Sequence, residues 1–310
     1  MREAEVLRRI RAIFDANTDD SGIIVGNGDD GAVLSLNDHT VIATDMAVEG
    51  IHFRLDWSSP EEIGRKITAA NLADVCAMGG WPTFLVVSVA FPAHFLPSLE
   101  SLASGISHEA AKVGARVVGG DLSQGNQLVI SITALGHTDQ PIRRSSAVIG
   151  DAVVVSHLPG LSAAGLLLLS SQKNLDSANA RKAIAQHCAP IIDYARYRSV
   201  FPFLNAATDI SDGLIVDVSH IADASLVAIE IDSKKITSHS DFEAISSIAP
   251  NREHALDFVL SGGEDHVLLG TTANPEKCAG FIEIGRVVSG HGVFVDGKRR
   301  DGEAGYQHSW

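Results

Sequence analysis

The stretch EEIGRKITAANLADVCAMGGWPTFLVVSVAF, residues 61–91, decides the fold. Five of its apolar side chains recur at the three- and four-residue spacing of an amphipathic helix: Ile63, Ile67, Ala70, Val75 and Met78. We therefore predict a helix over residues 61–79, which Gly79-Gly80 and Pro82 end. The apolar run 84–91 predicts a strand, and a helix that leads directly into such a strand is typical of α/β or α+β layers.

The same alternation of strands and helices extends along the whole chain. In the first half, strands are predicted at 23–25, 32–36, 40–44, 115–118 and 128–135, and a second helix at 97–113. In the second half, a strand is predicted at 152–156, and helices from Ser162, over 176–205 and after TDISDGL. A polar break with Pro141 and residues 143–146 separates the halves. We therefore predict two α/β (α+β) domains, residues 1–140 and 141–310.

Composition excludes several classes of protein. Of the 310 residues, 45% are hydrophobic and 20% charged, as in ordinary soluble globular proteins, and the net charge of −14 argues against a general nucleic-acid binder. Three distant cysteines make a disulfide scaffold or a zinc site unlikely and fit a reduced, cytoplasmic setting: Cys76, Cys188 and Cys278. The charged N-terminal segment predicts an amphipathic helix rather than a signal peptide, and the apolar run 165–169 is too short to span a membrane.

Acidic residues recur at the ends of short apolar runs, almost always beside glycine. They are Asp29, Asp30, Asp45, Asp74, Asp121, Asp209, Asp212, Glu264 and Asp265. Glycine lets the backbone approach a ligand closely, and a carboxylate offers an oxygen ligand to a hard cation. Mg²⁺ usually takes only one or two protein carboxylates and completes its shell with water and substrate phosphates. Single aspartates on several loops therefore indicate a site for several Mg²⁺ ions and a polyphosphate, which favours phosphoryl transfer.

Each of these residues also has a structural interpretation, which the sequence leaves open. GNGDDG at residues 26–31 matches GxGxxG, but a strand rather than a helix is predicted to follow, which argues against a dinucleotide fingerprint and leaves a hairpin turn as the alternative. Asp74 could make an ordinary buried hydrogen bond, and Asp45 could serve a turn at the end of its strand. Asp209 and Asp212 could cap the helix that follows, although the N-terminus of that helix could equally receive an anion. Walker, protein-kinase, GxSxG and HExxH motifs are absent.

Taken in order, the motifs resemble those of the thiamine-monophosphate kinase family, within the superfamily of aminoimidazole ribonucleotide synthetase. The strings are GDDGAVL, TDMAVEGIHF, KITAANLADVCAMGG, GGDLS, RRSSAVIGD, SAAGL, DISDGL and SGGEDH, between residues 28 and 266. The resemblance implies two α/β domains. It also implies a homodimer whose N-terminal sheets join into a barrel, with ATP near the interdomain cleft. The N-terminal domain would bind ATP and Mg²⁺ and dimerise, and the C-terminal domain would complete the site.

The resemblance also implies roles for individual residues. Mg²⁺ ligands would be Asp30, Thr44, Asp45, Asp74, Asp121, Asp209 and Asp212, of which Asp30, Asp45, Asp74, Asp121 and Asp212 would be central to catalysis. ATP would contact Gly120, Asp121, Arg144 and Ser211, and thiamine monophosphate would contact His52 and Glu264. The implied reaction is ATP-dependent phosphorylation of thiamine monophosphate to thiamine diphosphate.

Two positions differ from the family pattern. Ala43 stands where the family often has a hydroxyl, and Glu303 stands where the tail commonly carries an aromatic residue that stacks on thiamine. We expect Trp310, or else Tyr306, to supply the stacking surface, with charge pairing by Glu303 as the alternative. The alternative functions are another ATP-dependent kinase or synthetase of the superfamily and a nucleotide–Mg²⁺ binding protein without turnover.

Overall fold

The computed structural model describes residues 3–16, 22–25, 33–36, 39–171 and 176–300. The described residues form two compact units, the first drawn from Met1–Cys76 and Gly80–Gln140 and the second from Ala77–Gly79 and Pro141–Trp310. Each unit contains helices and β-sheet, so the predicted mixed α/β architecture is confirmed. Within the described ranges, no helix is both long enough and apolar enough to cross a membrane.

The first unit is built on a four-stranded sheet. Its helices are α1 (Glu3–Phe14), α2 (Pro60–Ala77) and α3 (Leu99–Ala111). Its strands are β1 (Ile23–Val25), β2 (Val33–Leu34), β3 (Thr40–Val48), β4 (Trp81–Phe91), β5 (Arg116–Gln124) and β6 (Val129–His137). The order in the main sheet is β3-β6-β4-β5, in which β4 and β5 are parallel and the other pairs antiparallel. β1 and β2 form a separate antiparallel pair.

Helix α2 begins at a capping box. The Glu62 carboxylate accepts from the Ser59 backbone N–H at 2.8 Å, and the Ser59 hydroxyl accepts from the Glu62 N–H at 3.3 Å, with Pro60 as first helical residue. The helix ends at Ala77, two residues earlier than predicted, because Gly79 has φ 70° and the Gly80 N–H turns back to the Val75 carbonyl.

The strands of the first sheet are longer than predicted. β3 continues to Val48 and β5 to Gln124, so Asp45 and Asp121 lie inside strands rather than at strand ends. Both residues pair with a neighbouring strand: Asp45 lies opposite Ile132 and Asp121 lies opposite Ser88. The expectation that they occupy turns was wrong, because hydrogen bonding to neighbouring strands decided their conformation although aspartate is uncommon in strands.

The second unit is built on a seven-stranded sheet. Its helices are α4 (Leu161–Ser171), α5 (Ala178–Cys188), α6 (Tyr194–Val200), α7 (Leu214–Ser225), α8 (Ser233–Thr237), α9 (Ser240–Ser246) and α10 (Arg252–Ser261). Its strands are β7 (Ala152–Val155), β8 (Ala206–Ile210), β9 (Ala228–Ile231), β10 (Val267–Thr272), β11 (Ile282–Val288), β12 (Gly292–Val295) and β13 (Lys298–Arg300). The order is β13-β12-β9-β11-β7-β10-β8, and only β12 and β9 pair in parallel among these strands.

The core of the second unit lies between this sheet and its helices. Val153, Ile210, Leu269 and Leu214 are completely buried there. The predicted helical region 176–205 is divided into α5, α6 and a 3₁₀ turn, because Pro190 interrupts it and Asp193 starts α6 by accepting from the Arg196 N–H.

Two helical glycines let α2 and α3 pack backbone to backbone. A methyl group on Gly105 would lie 2.0 Å from the Glu61 carbonyl oxygen, and one on Gly64 would lie 2.3 Å from that of Leu102.

Gly105→Ala gains about 1 kcal/mol of helix propensity, but overpacking against backbone costs about 1–3 kcal/mol. We therefore expect Gly105→Ala to lower the urea midpoint of the first unit. Gly119→Ala is the control, because its methyl group would meet nothing within 4 Å. A Gly105→Ala variant as stable as the parent protein would contradict this packing.

Candidate functional site

Asn71 connects two of the predicted metal ligands in the first unit. Its side chain is fully buried; its Oδ1 accepts from the Asp45 backbone N–H at 3.1 Å, and its Nδ2 donates to the Ile67 carbonyl at 2.9 Å. Asp74 follows three residues later on α2, and residues at this spacing share one helix face. Asn71 therefore holds strand β3 at Asp45 against the turn of α2 that carries Asp74. Sequence reasoning named both aspartates but missed the amide between them.

Thr44 belongs to the opposite face of β3. Its hydroxyl donates to the Ile132 carbonyl at 3.1 Å and lies 3.0 Å from the Thr133 hydroxyl. Its side chain is exposed, as are its face neighbours Ile42 and Met46. The hydroxyl is thus fixed within the sheet by both neighbours on β6.

Gly120 is required where β5 approaches β4. A methyl group at this position would lie 1.9 Å from the Val87 carbonyl oxygen, so no larger residue fits. The next residue, Asp121, is exposed, and its Oδ2 accepts from the Ser123 hydroxyl at 3.2 Å. The glycine of the GGD string therefore has a packing function beside the role at ATP that the resemblance implies.

His52 folds back on the end of β3. Its Nδ1 accepts from the Val48 N–H at 3.1 Å, and its own backbone N–H donates to the Val48 carbonyl at 3.0 Å. Because Nδ1 is an acceptor, the neutral ring carries its proton on Nε2.

In the second unit, Asp217 organises the β8–α7 turn. Its Oδ2 accepts from the backbone N–H groups of Ser211, Asp212 and Gly213 at 3.1, 3.0 and 3.1 Å. Gly213 occupies the N-cap without any side-chain cap, so the interpretation of Asp209 or Asp212 as the cap was wrong. This carboxylate therefore occupies three N–H groups of the turn that leads into α7. Burial, followed by the charge of Asp209, raises the pKa of Asp217 to about 7.

Asp217 was not among the predicted site residues. The available signal was an acidic residue in the first turn of a helix that follows a glycine-containing turn, where the macrodipole favours negative charge. Its neighbour one turn on, His220, was also missed; burial and then the charge of Arg144 lower the pKa of His220.

The predicted ligands Asp209 and Arg144 are both held at the end of β8. Asp209 is buried, and its Oδ2 lies 3.1 Å from Nδ1 of His266. Arg144 donates from Nε to the Thr208 hydroxyl at 3.1 Å, and its carbonyl accepts from the Ser225 hydroxyl at 2.7 Å. Arg144 is thereby placed beside the strand residue that precedes Asp209.

The segment Gly262–His266, here the GGEDH loop, runs along the same turn. The Glu264 N–H donates to the Ser211 carbonyl at 2.8 Å, and the His266 N–H donates to the Ile210 carbonyl at 2.9 Å. Glu264 and His266 have φ values of 64° and 51°, which are uncommon for residues with a side chain. The structure thus brings predicted substrate and nucleotide residues of the second unit, Glu264 and Ser211, into direct backbone contact.

The donor chemistry of the candidate residues suits Mg²⁺. No group of three or more His, Cys, Asp or Glu side chains among the described residues is arranged to hold a metal ion. Separate carboxylates and a hydroxyl, all oxygen donors, fit a cation that takes one or two protein carboxylates and binds phosphates for the rest. Asp30, Trp310, Tyr306 and Glu303 lie outside the described residues.

Comparison with known proteins identifies the family. Residues 28–138 match the family described as AIR synthase related protein, N-terminal domain. A thiamine-monophosphate kinase of Mycobacterium tuberculosis is 39% identical over 291 residues, which cover 92% of this chain and 86% of that protein. The chain belongs to the thiamine-monophosphate kinase family. The resemblance inferred from the motifs is confirmed.

Solved structures of the family have the same fold. Thiamine-monophosphate kinase from Stenotrophomonas maltophilia K279a has a TM-score of 0.85 at 29% identity and covers 97% of this chain and 98% of its own. AaThiL, complexed with AMPPCP and TMP, has a TM-score of 0.81 at 30% identity and covers 100% of this chain and 99% of its own.

The buried carboxyl group of Asp265 predicts a pH dependence of stability. Burial raises its pKa to about 6, although the N–H groups of Gly160 and Ser162 donate to it. Between its ordinary pKa of 3.8 and about 6 the folded protein holds the proton that the unfolded chain has released. The contribution of Asp265 to the free energy of unfolding is therefore complete below pH 4 and is lost as pH rises through about 6. The loss is at most about 1.4 kcal/mol per pH unit.

The measurement is urea unfolding of the parent protein and Asp265→Asn from pH 4 to pH 7. Other titrating groups cancel in the difference between the two curves. We expect the stability of the parent relative to the variant to fall over this window. A difference that stays flat or rises with pH would contradict the raised pKa.

Proposed function

We propose that the protein transfers the γ-phosphoryl group of ATP to thiamine monophosphate and forms thiamine diphosphate and ADP. The observation that carries this proposal is similarity along the whole chain to AaThiL, whose structure contains AMPPCP, an ATP analogue, together with TMP. The turn that holds Arg144, Asp209, Ser211 and Glu264 close together is the feature of this chain that supports it. This would be the last step in forming the diphosphate.

The chemistry of the acceptor explains which residues are needed. A phosphate monoester has a second pKa of about 6 and is mostly dianionic at neutral pH, so it is already a nucleophile and needs no general base. The obstacle is repulsion between two anions, which cationic groups must reduce. Bound Mg²⁺, held by the aspartate carboxylates, would supply positive charge that reduces this repulsion. The aspartates act as ligands that position the reactants for a direct, in-line transfer, and none acts as the nucleophile.

The proposed roles follow the family motifs. Asp30, Thr44, Asp45, Asp74, Asp121, Asp209 and Asp212 hold Mg²⁺; Gly120, Asp121, Arg144 and Ser211 bind ATP; His52, Glu264 and Trp310 bind thiamine monophosphate. Arg144 supplies a fixed guanidinium that suits phosphate oxygens, since its Nε is anchored on Thr208.

We further propose a cytoplasmic homodimer in which residues 1–140 carry ATP and Mg²⁺ binding and dimerisation, and residues 141–310 complete the nucleotide and substrate site. Ile42 and Met46, 64% and 58% exposed on one face of β3, support a covered sheet face. Light scattering at micromolar concentration should give twice the mass of 32.7 kDa. A monomer under these conditions would remove this part of the proposal.

The activity itself is the first prediction. The purified protein should form thiamine diphosphate from thiamine monophosphate only when ATP and Mg²⁺ are both present, as measured by chromatography of the products. Free thiamine should not be converted at a comparable rate, because it lacks the phosphate nucleophile. Comparable turnover of thiamine, or a phosphoaspartate on the reaction path, would refute the proposal.

The second prediction concerns shared metal ligation. Asp74→Asn and Asp121→Asn should each lower kcat/KM by orders of magnitude without loss of folding, because each removes a charged ligand. The double variant should lose much less than the product of the single losses, since both residues act on one metal–phosphate unit. Asp139→Asn, an exposed acid of the same unit, is the control. Near-full activity of either single variant would assign that residue a structural role only.

A further inference from the structure

Asp265 fixes the backbone of the GGEDH loop beneath Glu264. Its side chain is completely buried and accepts from the Gly160 N–H at 2.6 Å and the Ser162 N–H at 3.0 Å, at the start of α4. Its carbonyl accepts from Nε2 of Gln186 at 3.2 Å. The left-handed conformations of Glu264 and His266 on either side cost about 1–2 kcal/mol each, and they persist because these hydrogen bonds determine the loop.

Close packing of α4 and α5 brings a buried histidine to the same place. A methyl group on Gly165 would lie 2.2 Å from the Ala183 carbonyl oxygen and 3.0 Å from Cβ of His187, so only glycine permits this approach. The buried His187 then reaches α4, where its Nδ1 lies 3.1 Å from the Ser162 hydroxyl. The imidazole is thereby fixed between two helices.

The same nitrogen faces Glu264. Nδ1 of His187 lies 3.7 Å from Oε2 of Glu264, and the side chains are 7% and 36% exposed. The carboxylate therefore has one oxygen directed at a rigid, buried ring while the group as a whole remains open to solvent. Because this contact already restricts the Glu264 side chain, binding a ligand costs little further conformational entropy.

We propose that His187, together with Ser162, is a positioning residue that orients Glu264 for the cationic heterocycle of the acceptor substrate. This inference rests on the proposed function. Backbone geometry alone fixes Cα and Cβ of Glu264, but its three side-chain torsions need a second contact, which the imidazole provides. The pair thus selects an acceptor that carries a positive ring, and the contact of His187 is with the carboxylate of Glu264 rather than with the backbone that meets Ser211.

His157 provides a matched control within the same unit. Its Nδ1 also lies against a serine hydroxyl, that of Ser156, at 3.2 Å, and burial lowers its pKa to about 4. Both histidines therefore lie against a serine hydroxyl, His187 in a buried and His157 in a half-buried position, but the ion-pair contact with Glu264 belongs to His187. A loss that reflects only the removal of a buried imidazole should appear in both variants.

The experiment measures steady-state kinetics for His187→Leu, His187→Asn and His157→Leu in parallel with the parent enzyme. His187→Leu should raise KM for thiamine monophosphate by roughly three- to tenfold, because substrate binding must then immobilise the freed Glu264 side chain. KM for ATP should stay within about twofold of the parent value. His187→Asn places a polar atom where Nδ1 stood and should restore most of the affinity. His157→Leu should leave both KM values unchanged.

A double-mutant cycle with Glu264→Ala decides whether His187 acts through Glu264. In that background, His187→Leu should have no further effect on KM for thiamine monophosphate. An undiminished effect would overturn the inference, as would equal changes in both KM values. Should His187→Leu fail to fold, Ser162→Ala replaces it, because it frees the ring while the Ser162 backbone N–H still donates to Asp265. No change in KM from Ser162→Ala would then overturn the inference.

The parent enzyme separates this inference from the proposed function. If it forms no thiamine diphosphate, the proposed function fails. If it does so and His187→Leu has the parent KM, only the positioning role of His187 fails.

Discussion

The second unit depends on burying two carboxylates against backbone N–H groups. Asp217 collects three such donors from residues 211–213, and Asp265 collects two from Gly160 and Ser162. Removing a carboxylate from water is costly unless hydrogen bonds replace its hydration. The hydrogen bonds from these N–H groups offset part of that desolvation cost. They also fix the backbone of the two loops that carry the candidate ligands. Burial is the largest cause of the raised pKa of both groups, and for Asp217 the negative charge of Asp209 adds to it.

This constraint explains why the residues of the candidate site fall into two kinds. Asp217, Asp265 and Asn71 are buried and satisfied by backbone groups, so they position other residues. Asp121 and Glu264 retain exposure and are therefore able to meet a ligand. The same separation of supporting and contacting residues is required when a site must bind phosphates in a fixed arrangement, because the contacting groups must be oriented before the ligand arrives.

The sequence predicted the architecture well and the local context of the acids less well. Helix α2 was predictable because its apolar spacing agrees with the glycines that end it. Asp45 and Asp121 were placed at strand ends, since a polar residue after a short apolar run resembles the start of a turn, whereas long-range pairing keeps both within strands. Asp217, Asn71 and His187 were missed because their importance arises from partners distant in sequence or from backbone donors, which periodicity does not reveal. The close approaches at Gly105, Gly120 and Gly165 were equally invisible for that reason.

We propose that the phosphoryl group passes directly from ATP to a phosphate monoester that needs no activating base. The most direct test is the stereochemistry of transfer from ATP made chiral at its γ-phosphorus with sulfur and oxygen isotopes, with thiamine monophosphate as acceptor. A single in-line displacement predicts a terminal phosphorus of inverted configuration in the thiamine diphosphate product. Retention of configuration would require an intermediate phosphoenzyme and would contradict the claim.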